Sequence, residues 1–240
     1  RGFDVKSTRV KIICLFFVAV CIIFAIVAMF PAIWVFLSGF KDLKELTREA
    51  TLFPKSFNFS GFKETWDKLN FGLYYKNSFI MVIGSVICAI IFNGILAYGL
   101  AILKPKGYQI INGLVMWSLL IPATTSVVAL FVNINRIGLN KSFIPLWLAY
   151  GANAFWVVLF KEFFEGLPPE LIEAARLDGC NVVQVFYKIV LPLSKPIIMV
   201  IVIFAVTAAW SDFLLPYLIL NGSGKETVMV KLYTYSTSRT

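Results

Sequence analysis

The chain has 240 residues, 59% of them hydrophobic and 15% charged, with a net charge of +9. An apolar share above the roughly 45–50% of soluble domains excludes an ordinary water-soluble globule. Histidine is absent and the 4 cysteines form no CxxC pair, which removes the commonest general base, the commonest metal ligand, a disulfide framework and a zinc site. The positive charges are scattered among loops, which fits solvated loop charge and not a nucleic-acid surface.

Residues 1–11 carry Arg1, Lys6, Arg9 and Lys11 ahead of an apolar run that meets no charge until Lys41. That run is far longer than the roughly 7–15 apolar residues of a signal peptide, so it is read as a retained first span, about 12–37. Pro31 is expected to bend it and Trp34 to sit near the membrane interface. Residues 39–76 form a mixed-charge stretch on the extracytoplasmic side. Within it KETWDKLN reads as a short amphipathic helix, with Phe62, Trp66 and Leu69 at helical spacing, lying on the membrane surface or against other loops.

No charged residue falls between Lys76 and Lys104, or between Lys106 and Arg136. Each interval exceeds the ~20 residues a helix needs to cross the hydrocarbon, giving a second span at 77–103 and a third at 109–133. In the second, Ser85, Ala89, Asn93, Ala97 and Ala101 follow four-residue spacing, a stripe that lets helix backbones approach closely. Asn93 lies at mid-depth, where an unpaired amide is expensive, so it is expected to face a neighbouring helix or a water-filled path. The third span holds Ile121-Pro122-Ala123-Thr124-Thr125-Ser126 at its centre and is read as one kinked helix, its hydroxyls answering the backbone group that Pro frees. Lys141 and Lys161 bracket a fourth span, 142–160, with Asn153 near its middle. Lys195 and Lys225 bracket a fifth, 196–220, whose single acid is Asp212. An intramembrane acid is a functional candidate by default, and for Asp212 the alternatives are to meet a ligand's hydroxyls, to gate the outer mouth or to pair near the interface. Asn93, Thr124, Asn153, Trp210 and Asp212 are therefore the translocation-path candidates.

Lys and Arg divide almost evenly between the two sides, but those of 1–11, 104–106 and 161–195 are packed into shorter segments close to the spans. A cytoplasmic N-terminus follows. Residues 221–227, NGSGKET, echo a phosphate loop, yet Ile219 and Glu226 stand where that pattern needs Gly and Ser or Thr, so the segment is a plain loop.

The polar stretch 161–195 stands apart. Pro169 opens a helix, Glu170 stands near its positive end, and Gly179 ends it. Leu171, Ala174, Ala175 and Asp178 share one face by spacing, while Glu173 and Arg176 project from another. Asn181 is positioned to cap a second helix, VVQVFYKIV, which Leu191-Pro192 halts. Two short helices meeting at a glycine corner suit insertion into a partner's cleft, although capped surface helices also serve as simple connectors.

Glu173-Ala174-Ala175, Gly179 beyond the intervening Arg-Leu-Asp, and Ile189-Val190-Leu191-Pro192 after nine further residues resemble the EAA loop of the membrane-spanning subunits of ABC importers. Residues 163–179, the Pro122 region and Trp210-Ser211-Asp212-Phe213 resemble the carbohydrate branch, the maltose-type second permease subunit in particular. The resemblance implies an all-α, polytopic membrane bundle, a single permease domain over 1–240 with five spans present and a sixth expected beyond the C-terminus, in a bacterial or archaeal inner membrane. It implies a second permease subunit, a cytoplasmic ATPase dimer that binds the ATP and Mg, and an extracytoplasmic substrate-binding protein, with no cofactor and no catalysis in this chain. Carried over residue by residue, Glu173, Ala174, Ala175, Asp178 and Gly179 couple to the ATPase, framed by Pro169, Ile189, Leu191 and Pro192. The implied cargo is a sugar or oligosaccharide; glycerol-phosphate, a charged sugar polymer and an ATP-independent secondary transporter are the alternatives.

Overall fold

A computed structural model describes residues 8–48, 51–57 and 59–237, and every regular element among them is a helix. Arg1 and Lys6 of the basic flank lie outside the described residues. Contacts divide the chain into two units, 1–70 and 71–240.

The first unit begins with α1, Thr8–Ser38, which runs through Pro31 without interruption. Its apolar side chains from Ile12 to Phe36 are exposed except for the half-buried Val20. Two short helices follow, α2 (Leu43–Arg48) and α3 (Phe59–Lys68). The mixed-charge stretch, in which a short amphipathic helix is expected at 63–70, is thus folded, with α3 at 59–68 and α2 ahead of it. Its anchor is the buried carboxylate of Glu45, which accepts from Thr51 Oγ1 at 2.8 Å and from Lys55 N at 3.0 Å, while Lys41 Nζ donates to the Thr51 carbonyl. Phe40 gathers the rings of Phe36, Phe57 and Phe59 at 5.4, 5.8 and 5.2 Å, and Phe62 stacks on Trp66 at 6.1 Å.

The second unit is organised around α4, Phe71–Tyr98, which continues through a π-helical turn, Gly99–Leu103. The turn closes with Lys104 N donating to the Gly99 carbonyl at 2.9 Å, Lys104 itself standing in the left-handed region at φ 45°. The whole stripe of Ser85, Ala89, Asn93, Ala97 and Ala101 is buried, because α7 (Ile144–Gly151), α8 (Ala154–Glu165) and α12 (Lys195–Ser211) pack around it. Close approach is required twice: a Cβ at Gly84 would stand 2.3 Å from the Trp147 ring, and one at Gly151 would stand 2.8 Å from Phe92.

The expectation of five continuous spans needs correction. Two helices, Val10–Ser38 and Phe71–Leu103, are long and apolar enough to cross a membrane, and bent pairs raise the number to four at most. The third predicted span is α5 (Tyr108–Ser118) and α6 (Ala123–Arg136), of 11 and 14 residues. The kink became a break because Pro122 takes an extended conformation, ψ 128°, so the helix cannot continue through it. The fourth is α7 and α8, bent by 44° at Ala152-Asn153. The fifth is α12, ended by Asp212, and α13 (Leu214–Leu220).

A further correction concerns Pro192. The second polar helix is α10 (Val182–Val185), then a π-helical turn at Phe186–Val190, then α11 (Leu191–Leu193). The chain stays helical past Pro192 and turns only at Ser194. The π turn supplies the reason: Leu191 N reaches back to the Phe186 carbonyl, a widened register that relieves the clash a proline ring makes with the preceding turn. Residues 221–240, expected as a loop, also contain α14, Val228–Thr237, with Val228 and Val230 buried. Ser78 Oγ accepts from Val228 N at 2.9 Å, and Asn77 Nδ2 donates to the carbonyls of Gly224 and Glu226 at 3.1 and 3.0 Å. The phosphate-loop look-alike is therefore a turn tied to the start of α4.

Candidate functional site

At the opposite end of α4 lies the polar arm. Its first helix, α9 (Pro169–Leu177), starts with Pro at its first position, has Glu170 in the first turn and Arg176 in the last, each charge opposing the helix dipole. It ends in a Schellman motif: Cys180 N donates to the Ala175 carbonyl and Gly179 N to the Arg176 carbonyl, both at 3.0 Å, with Gly179 at φ 82°. Asn181 then caps α10 in a reciprocal box with Gln184, each of the two bonds 2.8 Å long. The corner between the helices is thus held by four hydrogen bonds to backbone groups, two on each side of Cys180.

The faces of α9 differ from those inferred by spacing. Ile172 and Ala175 are buried, whereas Leu171, Glu173, Ala174, Arg176 and Asp178 are exposed and Leu177 is 88% exposed. The adjacent alanines divide their roles: Ala175 joins the core shared with Phe160, Phe164 and Val185, and Ala174 stands outward beside Glu173. Beneath the helix is a cleft of about 360 Å³ lined by Lys104, Glu165, Pro169, Ile172, Glu173 and Arg176. Lys161 Nζ lies 3.0 Å from Glu165, and Lys104 Nζ lies 3.9 Å from it.

Two connections carry the arm into the membrane helices. Tyr98, in the last turn of α4, donates its hydroxyl to the Val182 carbonyl at 3.0 Å and packs on Phe186 at 5.0 Å between ring centres. The second is covalent, since the Val182–Leu193 segment meets α12 at 80° across Ser194. Ser194 is fully buried and donates to the Val190 carbonyl at 2.6 Å. Of the frame residues, Pro169 and Pro192 are exposed and Ile189 and Leu191 are half-buried.

Midway along α4 the helix breaks come together. Asn93 is completely buried; its Nδ2 donates to the carbonyls of Ala89 at 2.8 Å and Tyr150 at 3.0 Å, and its Oδ1 accepts from Asn153 N at 3.0 Å. The backbone groups freed by the α7–α8 break are thereby satisfied inside the bundle, as a low-dielectric setting demands. Asn153 Oδ1 in turn caps α8, accepting from Trp156 N at 3.1 Å. Tyr150 extends the chain of bonds, its hydroxyl donating to Asp212 Oδ2 at 3.4 Å. Asp212 also faces the backbone N–H groups of Phe213, Leu214 and Leu215 at the start of α13. Trp210 packs on Tyr75 and Phe79 at 6.0 and 5.8 Å. Thr124 is exposed in the first turn of α6, and among the described residues no hydrogen bond joins it to the other path candidates. Tyr150 escaped the sequence reading; the signal for it was a polar-tipped aromatic one turn before an intramembrane Asn. Among the described residues, no group of three or more His, Cys, Asp or Glu is placed to hold a metal ion.

An all-helical, largely membrane-embedded fold with bent helices around one central span, and a polar arm at one end, is a permease-like fold. Residues 85–238 match the family model described as binding-protein-dependent transport system inner membrane component. The chain belongs to that family, whose members are transport components and not enzymes. It is 28% identical over 223 residues to the diacetylchitobiose uptake system permease protein NgcG of Streptomyces coelicolor, covering 92% of this chain and 74% of that protein. It is 30% identical to the polygalacturonan/rhamnogalacturonan transport system permease protein YtcP of Bacillus subtilis, over 88% of this chain and 73% of the relative. In fold it is similar to a chain of a crystallised bacterial ABC transporter involved in the import of the acidic polysaccharide alginate, with a TM-score of 0.83, 24% identity, and coverage of 99% of this chain and 83% of that one.

Proposed function

We propose that this chain is one of two permease halves of an ATP-driven importer of saccharides, set in a bacterial or archaeal inner membrane with its N-terminus cytoplasmic. The α9 turn seats in a groove of a cytoplasmic ATPase dimer, which holds the ATP and Mg, and a substrate-binding protein delivers cargo on the other side. The observation that carries this reading is the arm itself: an outward face of Glu173, Ala174, Leu177 and Asp178 on a helix closed by a Schellman turn at Gly179, followed by the segment 182–193 that meets α12 at 80°. A soft connector would absorb a partner's movement. This corner, bonded through Gly179, Asn181 and Tyr98, passes it on to α4 and α12 together. The names of the relatives support a saccharide cargo, since they give diacetylchitobiose for one and polygalacturonan/rhamnogalacturonan for another.

The test is ATP-dependent uptake by the whole complex in proteoliposomes, with co-purification of the ATPase measured beside it. Glu173→Ala removes an interfacial charge and is expected to cut uptake at least about tenfold, equivalent to ~1.4 kcal/mol at the interface. Gly179→Val forces a β-branched residue into the left-handed region, at a cost of roughly 1–2 kcal/mol, and is expected to loosen ATPase co-purification as well. Wild-type uptake and wild-type co-purification in both variants would overturn the coupling role.

A further inference from the structure

The helix breaks border an open concave surface, distinct from the cleft under α9. A cavity of about 600 Å³ lies between the α5–α6 break and the α7–α8 break, lined among others by Ser118, Pro122, Ser126, Asn153 and Phe155. The size falls within the range of small-ligand sites, and the lining has their usual make-up of apolar walls with a few polar groups. Ser118 Oγ donates to the Val115 carbonyl at 2.7 Å, which leaves its lone pairs to accept from a ligand. Asn153 uses Oδ1 for the cap of α8, and among the described residues its Nδ2 donates to nothing. Phe155 is 48% exposed, its ring leaning on Phe204 at 6.2 Å, so a ring face is available for an apolar C–H surface. A hydroxyl acceptor, an amide donor and an aromatic face suit a pyranose ring.

Charge narrows the class. Across residues 77–103, 107–135, 142–160 and 196–224 the only Asp, Glu, Lys or Arg is Asp212. This half of the bundle therefore offers a polyanion no cation at membrane depth and presents one carboxylate, linked through Tyr150 to the α7–α8 break. In a medium of low dielectric an unpaired carboxylate on the cargo carries a heavy desolvation cost, which the hydroxyl groups of a neutral sugar avoid.

Building on the importer reading above, we infer that the cavity between the two helix breaks is a subsite for a neutral saccharide, with Phe155 as its stacking platform and Ser118 and Asn153 as its polar contacts. The complex, reconstituted with its partner permease, ATPases and binding protein, is given a neutral malto-oligosaccharide and an oligogalacturonate of equal length, and ATP-dependent uptake and ATP hydrolysis are both recorded. Uptake of the neutral sugar, with the acidic one taken up at least about tenfold more slowly, is the expected result. Phe155→Ala is expected to lower neutral-sugar uptake several-fold while the ATPase still co-purifies as in wild type, because docking runs through the α9 arm. Ser118→Ala, which alters no packing in the core, is expected to act in the same direction more weakly. Preference for the oligogalacturonate, or unchanged neutral-sugar uptake in both variants, overturns the subsite and leaves the importer standing. If neither sugar stimulates hydrolysis or enters, the saccharide reading itself fails, and the subsite with it.

Discussion

α1 and α4 are both long, apolar and nearly free of charge, yet their surroundings differ completely. Val10–Ser38 has none of its most apolar window buried, whereas Phe71–Leu103 has a third of it buried. Hydropathy selects both for the membrane and says nothing about which will acquire neighbours, since lipid tails are as apolar as leucine. What separates them is the small-residue stripe of α4, its Gly84 at the Trp147 ring, and an amide that bonds across to the α7–α8 break. Close approach and polar pairing, not greasiness, build the bundle.

That contrast can be broken experimentally, beginning where the effect should be greatest. Gly84→Val drives a branched side chain into the Trp147 ring and is expected to destabilise the chain by about 3 kcal/mol, the upper end of overpacking costs. Denaturant unfolding of the purified protein in lipid discs reads this directly, and an unchanged midpoint would show that α4 and α7 are not seated as described. Asn93→Leu keeps the branched outline but strands the Tyr150 carbonyl and the Asn153 N–H; a loss of about 2 kcal/mol is expected from buried groups left unpaired. A smaller loss would mean that water reaches the break. Tyr150→Phe removes only the long bond to Asp212, and the same titration should register about 0.5–1 kcal/mol. Least affected is α1: Leu15→Ala, at a position 70% exposed, should stay within about 0.5 kcal/mol in the isolated chain. A large effect there would show that α1 has neighbours within its own chain.

The polar arm was the most legible part of the chain. Pro169, Gly179 and Asn181 are local signals: each acts through its own backbone conformation or a bond to a residue a few positions away, and the helix ends fall where those residues stand. The faces of α9 were not legible, because spacing groups Leu171 with Ala174 and Ala175 but cannot say which of them the core reaches. The path residues were legible only in kind. An Asn, a Pro and an Asp at membrane depth announce that something polar happens, while the bonds from Asn93 to Tyr150 and Asn153 join positions 57 and 60 residues apart.

By itself the sequence determined that this is a membrane protein, that its polar arm ends at Gly179 and restarts at Asn181, and that α4 carries a stripe meant for contact. These are consequences of local chemistry and of hydrocarbon as solvent. Only the tertiary structure decided that the predicted spans at 109–133, 142–160 and 196–220 break, that Pro192 is passed through a π turn, and that Ile172 and Ala175 face inward. A helix breaks where the backbone groups it frees find partners elsewhere, and those partners lie on other helices, beyond the reach of any local pattern.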